Sequence, residues 1–303
     1  MNFSVTILGN NSALPAHNRH PTSQLVSLHN HSLLVDCGEG TQMQINAFKI
    51  KRSRIHHIFI SHLHGDHYFG LPGLVTSYQL MQRKDPLHIY APAGLKKIID
   101  TILNESNTIL NFELKIHELN FENSKQLLET DSFTVHSFPV KHRIPTCGFK
   151  FCEKPGLRKI KQAMIAEHNI PIEKIISIKK GDDFVSENGV IIQNEILTQA
   201  PGLPKQYSFC ADTIYDETIL EHIKGSSLLY HESTFMHELS ERASKTFHST
   251  TTQAATIAKN AGVEKLLLGH FSAKYADLNP LLIEAQNIFP NTMLAIEGET
   301  FAV

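Results

Sequence analysis

Ser61-His62-Leu63-His64-Gly65-Asp66-His67 gathers three imidazoles and a carboxylate into one short stretch. In a chain with 19 histidines, composition alone would generate a HxHxDH arrangement only about 0.002 times. Imidazole and carboxylate without thiolate suit zinc or manganese, with coordination positions left open for water. The apolar run Ile55–Ile60 precedes the motif and reads as a buried strand that fixes the first ligand, and a turn at Gly65 folds the next ones back. His62 and His64 can share one ion, while Asp66 and His67 can face a second. A solvated polar loop is the plainer alternative, but it leaves the spacing without a cause.

Three more residues suit the same task. His142 follows the predicted strand Phe133–Val140, Asp212 follows Tyr207–Ala211, and His270 follows Leu266–Leu268. Singly, each is explained as well by a surface imidazole or a helix N-cap. Together with the first motif, residues that each end an apolar strand can converge at one edge of the sheets.

The elements that must position them follow from the hydrophobic pattern. Strands are predicted at Phe3–Leu8, Gln24–Leu28, Ser32–Asp36, Leu87–Ala91, Phe112–Leu119, Phe149–Cys152, Leu228–His231, Lys265–His270 and Thr292–Ile296, besides those already named. Helices are expected over Gly40–Phe48, Leu71–Gln82, Pro92–Asn104, Leu157–His168, Thr251–Asn260 and Pro280–Ile288, and from about Asp216. Strand groups followed by strand–helix alternation recur in each half. The pattern predicts an α/β fold with two β-sheets packed face to face and helices outside, in one domain spanning 1–303. Residues 154–205 are the least core-like stretch and read as an inserted arm.

Composition sets limits. Of 303 residues, 41% are hydrophobic and 19% charged, with a net charge of −2, which excludes a disordered chain and a globally basic nucleic-acid binder. No apolar run approaches the roughly 20 residues of a membrane span. The opening Met1-Asn2-Phe3-Ser4-Val5-Thr6 lacks a basic segment followed by an apolar one, so no signal peptide is expected. Cys37, Cys147, Cys152 and Cys210 lack CxxC spacing and read as reduced thiols of a cytoplasmic protein.

The chain resembles the metallo-β-lactamase superfamily and, within it, the ribonuclease Z family of tRNA 3′-processing endonucleases. HxHxDH specifies the superfamily. Val35-Asp36-Cys37-Gly38-Glu39-Gly40-Thr41-Gln42, His231-Glu232-Ser233-Thr234-Phe235 and His248-Ser249-Thr250 are similar to signatures of the ribonuclease. The resemblance implies an αββα sandwich with a protruding arm. It implies two zinc ions, one on His62, His64 and His142 and one on Asp66, His67 and His270, bridged by Asp212. It gives Asp66 a part in orienting the nucleophile, makes His248 and Glu232 a proton-donating pair, and has Asp36 organise the site through hydrogen bonds. It also implies a homodimer acting on precursor tRNA and leaving a 3′-hydroxyl on the tRNA.

Two segments depart from the family pattern. The loop Pro15-Ala16-His17-Asn18-Arg19-His20 has His17 for a lysine and His20 for an asparagine, in a region the family uses to sense the tRNA 3′ end; Arg19 is kept. The arm lacks the family's glycine-rich and tyrosine positions. Its charge still suits RNA. Lys154, Arg158, Lys159, Lys161, Lys174, Lys179 and Lys180 face only Glu167 and Glu173 across residues 154–181, a balance of +5 that leaves −7 for the rest. A basic segment on an acidic body fits contact with a phosphate backbone, although a solvated helix and hairpin would carry the same charges. With no aromatic in that segment, recognition of shape and phosphates is expected rather than of bases.

The leading expectation is therefore a zinc-dependent endoribonuclease that trims the 3′ side of precursor tRNA, with manganese as a second candidate ion. A small-molecule phosphodiesterase, arylsulfatase or thioester hydrolase of the same fold would share HxHxDH but has no need of the later motifs or the arm. A non-catalytic RNA-binding subunit has no need of a complete ligand set.

Overall fold

Alternation of side chains along each strand builds the layers. A computed structural model of the chain describes residues 3–303. The first sheet contains Phe3–Gly9 (β1), Ser23–Leu28 (β2), His31–Val35 (β3), Ile55–Phe59 (β4), Leu87–Ala91 (β5) and Leu114–Glu118 (β6). The second contains Lys125–Glu129 (β7), Phe133–Val140 (β8), Thr146–Glu153 (β9), Gln206–Cys210 (β10), Leu228–Glu232 (β11), Leu266–Gly269 (β12) and Thr292–Leu294 (β13). Thr300–Ala302 (β14) returns to the first sheet and pairs antiparallel with β1, Ser4 opposite Ala302. The orders are β14-β1-β2-β3-β4-β5-β6 and β13-β12-β11-β10-β9-β8-β7. In each sheet one side is antiparallel, whereas β3 to β6 and β10 to β13 run parallel.

Phe3, Val5 and Ile7 of β1, Leu33 and Val35 of β3, Tyr207 and Phe209 of β10, and Leu228 and Tyr230 of β11 meet in the core between the sheets. The residues between them face outward, where helices cover them. Leu8, Leu34 and Ile58 pack under helices Thr41–Ala47, Gly70–Leu80 and Gly94–Glu105. Leu229, Leu266 and Leu268 pack under Thr251–Asn260 and Asn279–Gln286. The order is helix, sheet, sheet, helix, as the resemblance implies. The parallel strands matter most for function, because loops at their carboxyl ends share one rim.

Residues 130–132 and 153–204 form a second compact unit with its own small core of Ile170, Ile178, Phe184, Ile192 and Leu197. Helices Gln162–Glu167 and Ile172–Lys180 and a hairpin of Phe184–Val185 with Ile191–Ile192 build it. The helix expected over Leu157–His168 is shorter, because Lys159 and Ile160 pair with Gln199 and Thr198 in a two-stranded ladder. The helix expected from Asp216 splits into a 3₁₀ turn, Glu217–Ile219, and Leu220–Ile223, with the Asp216 carboxylate accepting from the Thr218 N–H. Strands β7 and β14 were not expected from sequence. No helix among the described residues is long and apolar enough to cross a membrane.

The Asp36–Gly40 turn is wedged against the HxHxDH loop. Cys37 N–H donates to the His67 carbonyl, and Gly70 N–H donates to the Cys37 carbonyl. A Cβ on Gly38 would overlap the Asp66 carbonyl and the Pro21 ring. Gly38→Ala should therefore cost roughly 1–3 kcal/mol, as overpacking does, and loosen the Asp66–His67 turn. Urea unfolding with a paired metal titration checks this, and an unchanged midpoint with unchanged metal affinity would refute the wedge.

Candidate metal centre

Most candidate residues sit at or just past a strand end, whereas His248 lies between helices Ser240–Thr246 and Thr251–Asn260. The 62–67 segment follows β4, His142 follows β8, Asp212 follows β10, Glu232 ends β11 and His270 follows β12. These ends place His62, His64, His142 and Asp212 in one group and Asp66, His67, Asp212 and His270 in another, with the ligand atoms of each group within 4.8 Å of one another. Asp212 divides its oxygens between them. Its Oδ2 lies 3.6 Å from His62 Nε2 and 3.9 Å from His142 Nε2, and its Oδ1 lies 3.4 Å from His67 Nε2 and 3.1 Å from His270 Nε2. Asp66 Oδ2 is 3.5 Å from both His67 Nε2 and His270 Nε2. Atoms bound at about 2.1 Å to one tetrahedral ion sit about 3.4 Å apart, so these spacings match the edges of a coordination shell.

The residues fit metal ions by a second criterion. His67 Nε2, His270 Nε2 and Asp212 Oδ1 are buried and lack hydrogen-bond partners, although such atoms in a protein interior are normally satisfied. The opposite nitrogens of four of the rings are engaged. His67 Nδ1 donates to Asp36 Oδ2 at 2.7 Å, His142 Nδ1 to the Phe247 carbonyl at 2.8 Å and His270 Nδ1 to Thr234 Oγ1 at 2.9 Å, while His62 Nδ1 lies 3.0 Å from Ser61 Oγ. Such bonds fix the tautomer and aim the other nitrogen at the shared space. Asp36 also accepts from Ser61 N–H at 2.8 Å and Ser61 Oγ–H at 2.9 Å. Burial pushes the pKa of His62 well below the usual imidazole value and lowers those of His64 and His142, keeping these rings neutral and able to ligate. For Asp212, burial opposes charge, but His270 and His67 outweigh it and hold the carboxyl well below the usual range.

Asp36 and His270 adopt positive φ, 53° and 59°. Neither is glycine, so both carry some backbone strain, as do turn residues elsewhere in the chain such as Lys49 and Asn107.

Beside this centre, His248 Nδ1 lies 2.9 Å from Glu232 Oε1. Glu232 is fully buried and accepts from the N–H groups of Ser249, Thr213 and Thr234 and from Thr234 Oγ–H. Burial opposes a charge on His248, but the Glu232 carboxylate overrides it and lifts the pKa to about 9. His248 stays partly exposed to a cleft of about 440 Å³ that Asp66, Asp212 and His270 also line.

Sequence pattern had left Thr234 without a role, yet its hydroxyl links His270 to Glu232 and thereby couples the two functional groups. Ser61 is a second such link. Both sit inside motifs, but short hydroxyl contacts have no periodic signature. Arg19 is turned inward, with its guanidinium on Asn11 Oδ1 at 3.0 Å and the Tyr275 carbonyl at 2.5 Å. In the second unit, Arg158 donates to Thr198 Oγ1 and Lys161 to the Ile196 carbonyl, so both brace that unit. Lys159, Lys174 and Lys180 are exposed, and Lys154 and Lys179 partly so.

Comparison with known proteins follows this geometry. A family model described as anti-Pycsar protein Apyc1 matches residues 3–155, the half that carries HxHxDH. Ribonuclease Z of Bacteroides fragilis strain YCH46 is 43% identical over 296 residues, covering 98% of this chain and 97% of its own. Ribonuclease Z of Cytophaga hutchinsonii is 43% identical over 306 residues, covering 100% and 97%. The chain belongs to the ribonuclease Z family. The crystal structure of the short form of human tRNase Z superposes with a TM-score of 0.71 at 27% identity, covering 99% of each chain. The protein is accordingly a metal-dependent endoribonuclease with the metallo-β-lactamase fold, and the reading as a non-catalytic RNA-binding subunit is set aside.

If Asp212 is shared as its contacts place it, the purified protein should hold about two divalent ions per chain. His142→Ala should lose chiefly one of them, and Asp212→Ala both. Elemental analysis of the three proteins checks this. Retention of both ions by Asp212→Ala would show that the carboxylate is not shared.

Proposed function

We propose that this protein is a dinuclear zinc endoribonuclease that removes the 3′ trailer from precursor tRNA and leaves a 3′-hydroxyl on the tRNA. The observation that carries the reading is Asp212 lying between two histidine groups with the His248–Glu232 pair on the same cleft wall. His62, His64, His142 and Asp212 would hold one ion, and Asp66, His67, His270 and Asp212 the other. Two ions so held supply Lewis acidity for phosphoryl oxygens and acidify water for attack near neutral pH.

The chain's own groups account for the remaining chemistry. Asp66 Oδ2 accepts from the Ala13 N–H at 2.8 Å, which steadies a carboxylate placed to orient the attacking water. Water adds to phosphorus as the bond from phosphorus to the 3′-oxygen breaks. With Nδ1 held by Glu232, His248 has Nε2 left to donate a proton to that leaving oxygen. Asp36 and Thr234 do not touch substrate; they hold the rings that do.

The basic surface of residues 154–181 is proposed to dock the tRNA body through phosphates. The homodimer and the cytoplasmic location belong to the same proposal, the latter resting on four unpaired cysteines. A second reading, a small-molecule phosphodiester hydrolase, would use the same histidine and aspartate groups without the basic surface of residues 154–181. Turnover of precursor tRNA against a nitrophenyl phosphodiester separates the two, and end-group analysis of the tRNA product tests the 3′-hydroxyl.

His248→Ala should keep its metal and its RNA affinity but cut precursor tRNA more slowly by roughly 10²–10⁴-fold. The loss should shrink for a nitrophenolate leaving group, which needs no proton; equal losses on both substrates would refute the acid role. The donor works only when protonated, so activity should persist through neutrality and fall as pH rises through the His248 pKa. Glu232→Gln removes the cause of the upward shift and should move that alkaline limb to lower pH in a kcat profile. Reversing Lys179 and Lys180 to Glu should raise KM for precursor tRNA and flatten its salt dependence, by roughly one unit of slope per lost phosphate contact. An unchanged slope would leave that segment without a role in binding RNA.

A further inference from the structure

The cleft beside His248 carries two arginines that the mechanism above does not use. Arg143 directly follows His142, and Arg242 lies in helix Ser240–Thr246, six residues before His248. The His142 ring bonds the Phe247 carbonyl, so the two segments that carry the arginines are tied together on the wall that carries the proton donor. Both arginines line the cleft and both are exposed.

Their neighbours are paired and they are not. Lys141 pairs with Asp216 at 3.1 Å and Lys245 with Glu241 at 2.5 Å. Among the described residues, no carboxylate lies within ion-pair distance of Arg143 or Arg242. Arg242 instead lies over the Phe235 ring, its Cζ 5.5 Å from the centroid, a contact that steadies the guanidinium without using its N–H donors in an ion pair. Outside residues 154–181 the chain is net acidic, so two unpaired guanidinium groups at the reaction cleft are suited to an anion supplied by the substrate. Arginine meets phosphate oxygens with two parallel N–H donors, which fixes position as well as charge.

Direction follows from the proton donor. His248 protonates the 3′-oxygen that stays on the tRNA, so the nucleotide upstream of the cut lies on the His248 wall. We propose that Arg143 and Arg242 form a phosphate-binding subsite for the RNA backbone immediately 5′ of the scissile bond. The subsite rests on the endoribonuclease reading above and adds to it a register along the strand. Arg143 and Arg242 are positioning residues: they hold the upstream strand so that the scissile phosphate enters the cleft over the metal-binding side chains and its 3′-oxygen meets His248.

The test uses precursor tRNAs carrying a single neutral methylphosphonate linkage, placed one or two positions 5′ or 3′ of the cut. The proteins are the wild type, Arg143→Gln and Arg242→Gln. Each variant should raise KM for all-phosphate RNA by about 10-fold and lower the salt slope by roughly one unit. On RNA whose 5′-side linkage is already neutral, the variant responsible for that phosphate should cost little more. Neutral linkages on the 3′ side should leave its full penalty in place. Full additivity at every 5′ position, coupling only to 3′ linkages, or an unchanged KM would each overturn the subsite. Failure of the wild-type protein to cleave any precursor tRNA would instead overturn the endoribonuclease reading itself.

Discussion

A carboxylate almost wholly withdrawn from solvent is the constraint around which this protein is arranged. Asp212 is almost wholly enclosed, and its two oxygens face histidine nitrogens on opposite sides. An isolated charge in such a place would be costly enough to neutralise itself. It persists because strand ends from both sheets bring partners to it: His62 and His67 from beyond β4, His142 from beyond β8 and His270 from beyond β12. A single sheet could not surround one carboxylate in this way, so the face-to-face packing of two sheets is a requirement of the centre as well as a means of burying Phe149, Phe209 and Tyr230.

Around that carboxylate lies a ring of supports. Asp36, Ser61, Thr234 and the Phe247 carbonyl each take the far side of an imidazole. Thr234 carries two duties at once, since its hydroxyl donates to Glu232 while accepting from His270. The rings that converge on Asp212 and the His248–Glu232 pair are thus joined by one oxygen atom. The tight turn at Gly38 has a related purpose, because the loop behind Asp66 leaves no room for a side chain there.

The centre was more legible in sequence than the fold around it. The convergence of HxHxDH, Asp212, His142 and His270 could be read because each is a histidine or aspartate that follows a strand, two conditions that few residues meet together. Alternation in β1 and the short apolar runs of β3 and β11 marked strands, the runs being continuous because both faces of those strands are covered. Lys125–Glu129 and Thr300–Ala302 were invisible because edge strands take their order from a neighbour and show no apolar alternation of their own. Arg19 shows what local pattern leaves out: its guanidinium reaches Asn11 Oδ1 and the Tyr275 carbonyl. Which way a side chain turns is set by contacts hundreds of residues away, and local pattern does not record them.

The left-handed backbone at Asp36 and His270 bears on attempts to make the enzyme hardier. Glycine would relax either position, and strain of this kind is of order 1–3 kcal/mol. It would also delete the carboxylate that aims His67 or the imidazole that faces Asp212. Because Asp36 also accepts from the Ser61 N–H, the Ser61 hydroxyl and His67, and His270 engages Thr234, glycine at either position would strand buried polar groups, and that loss offsets the strain relieved, so neither turn offers a route to a hardier protein.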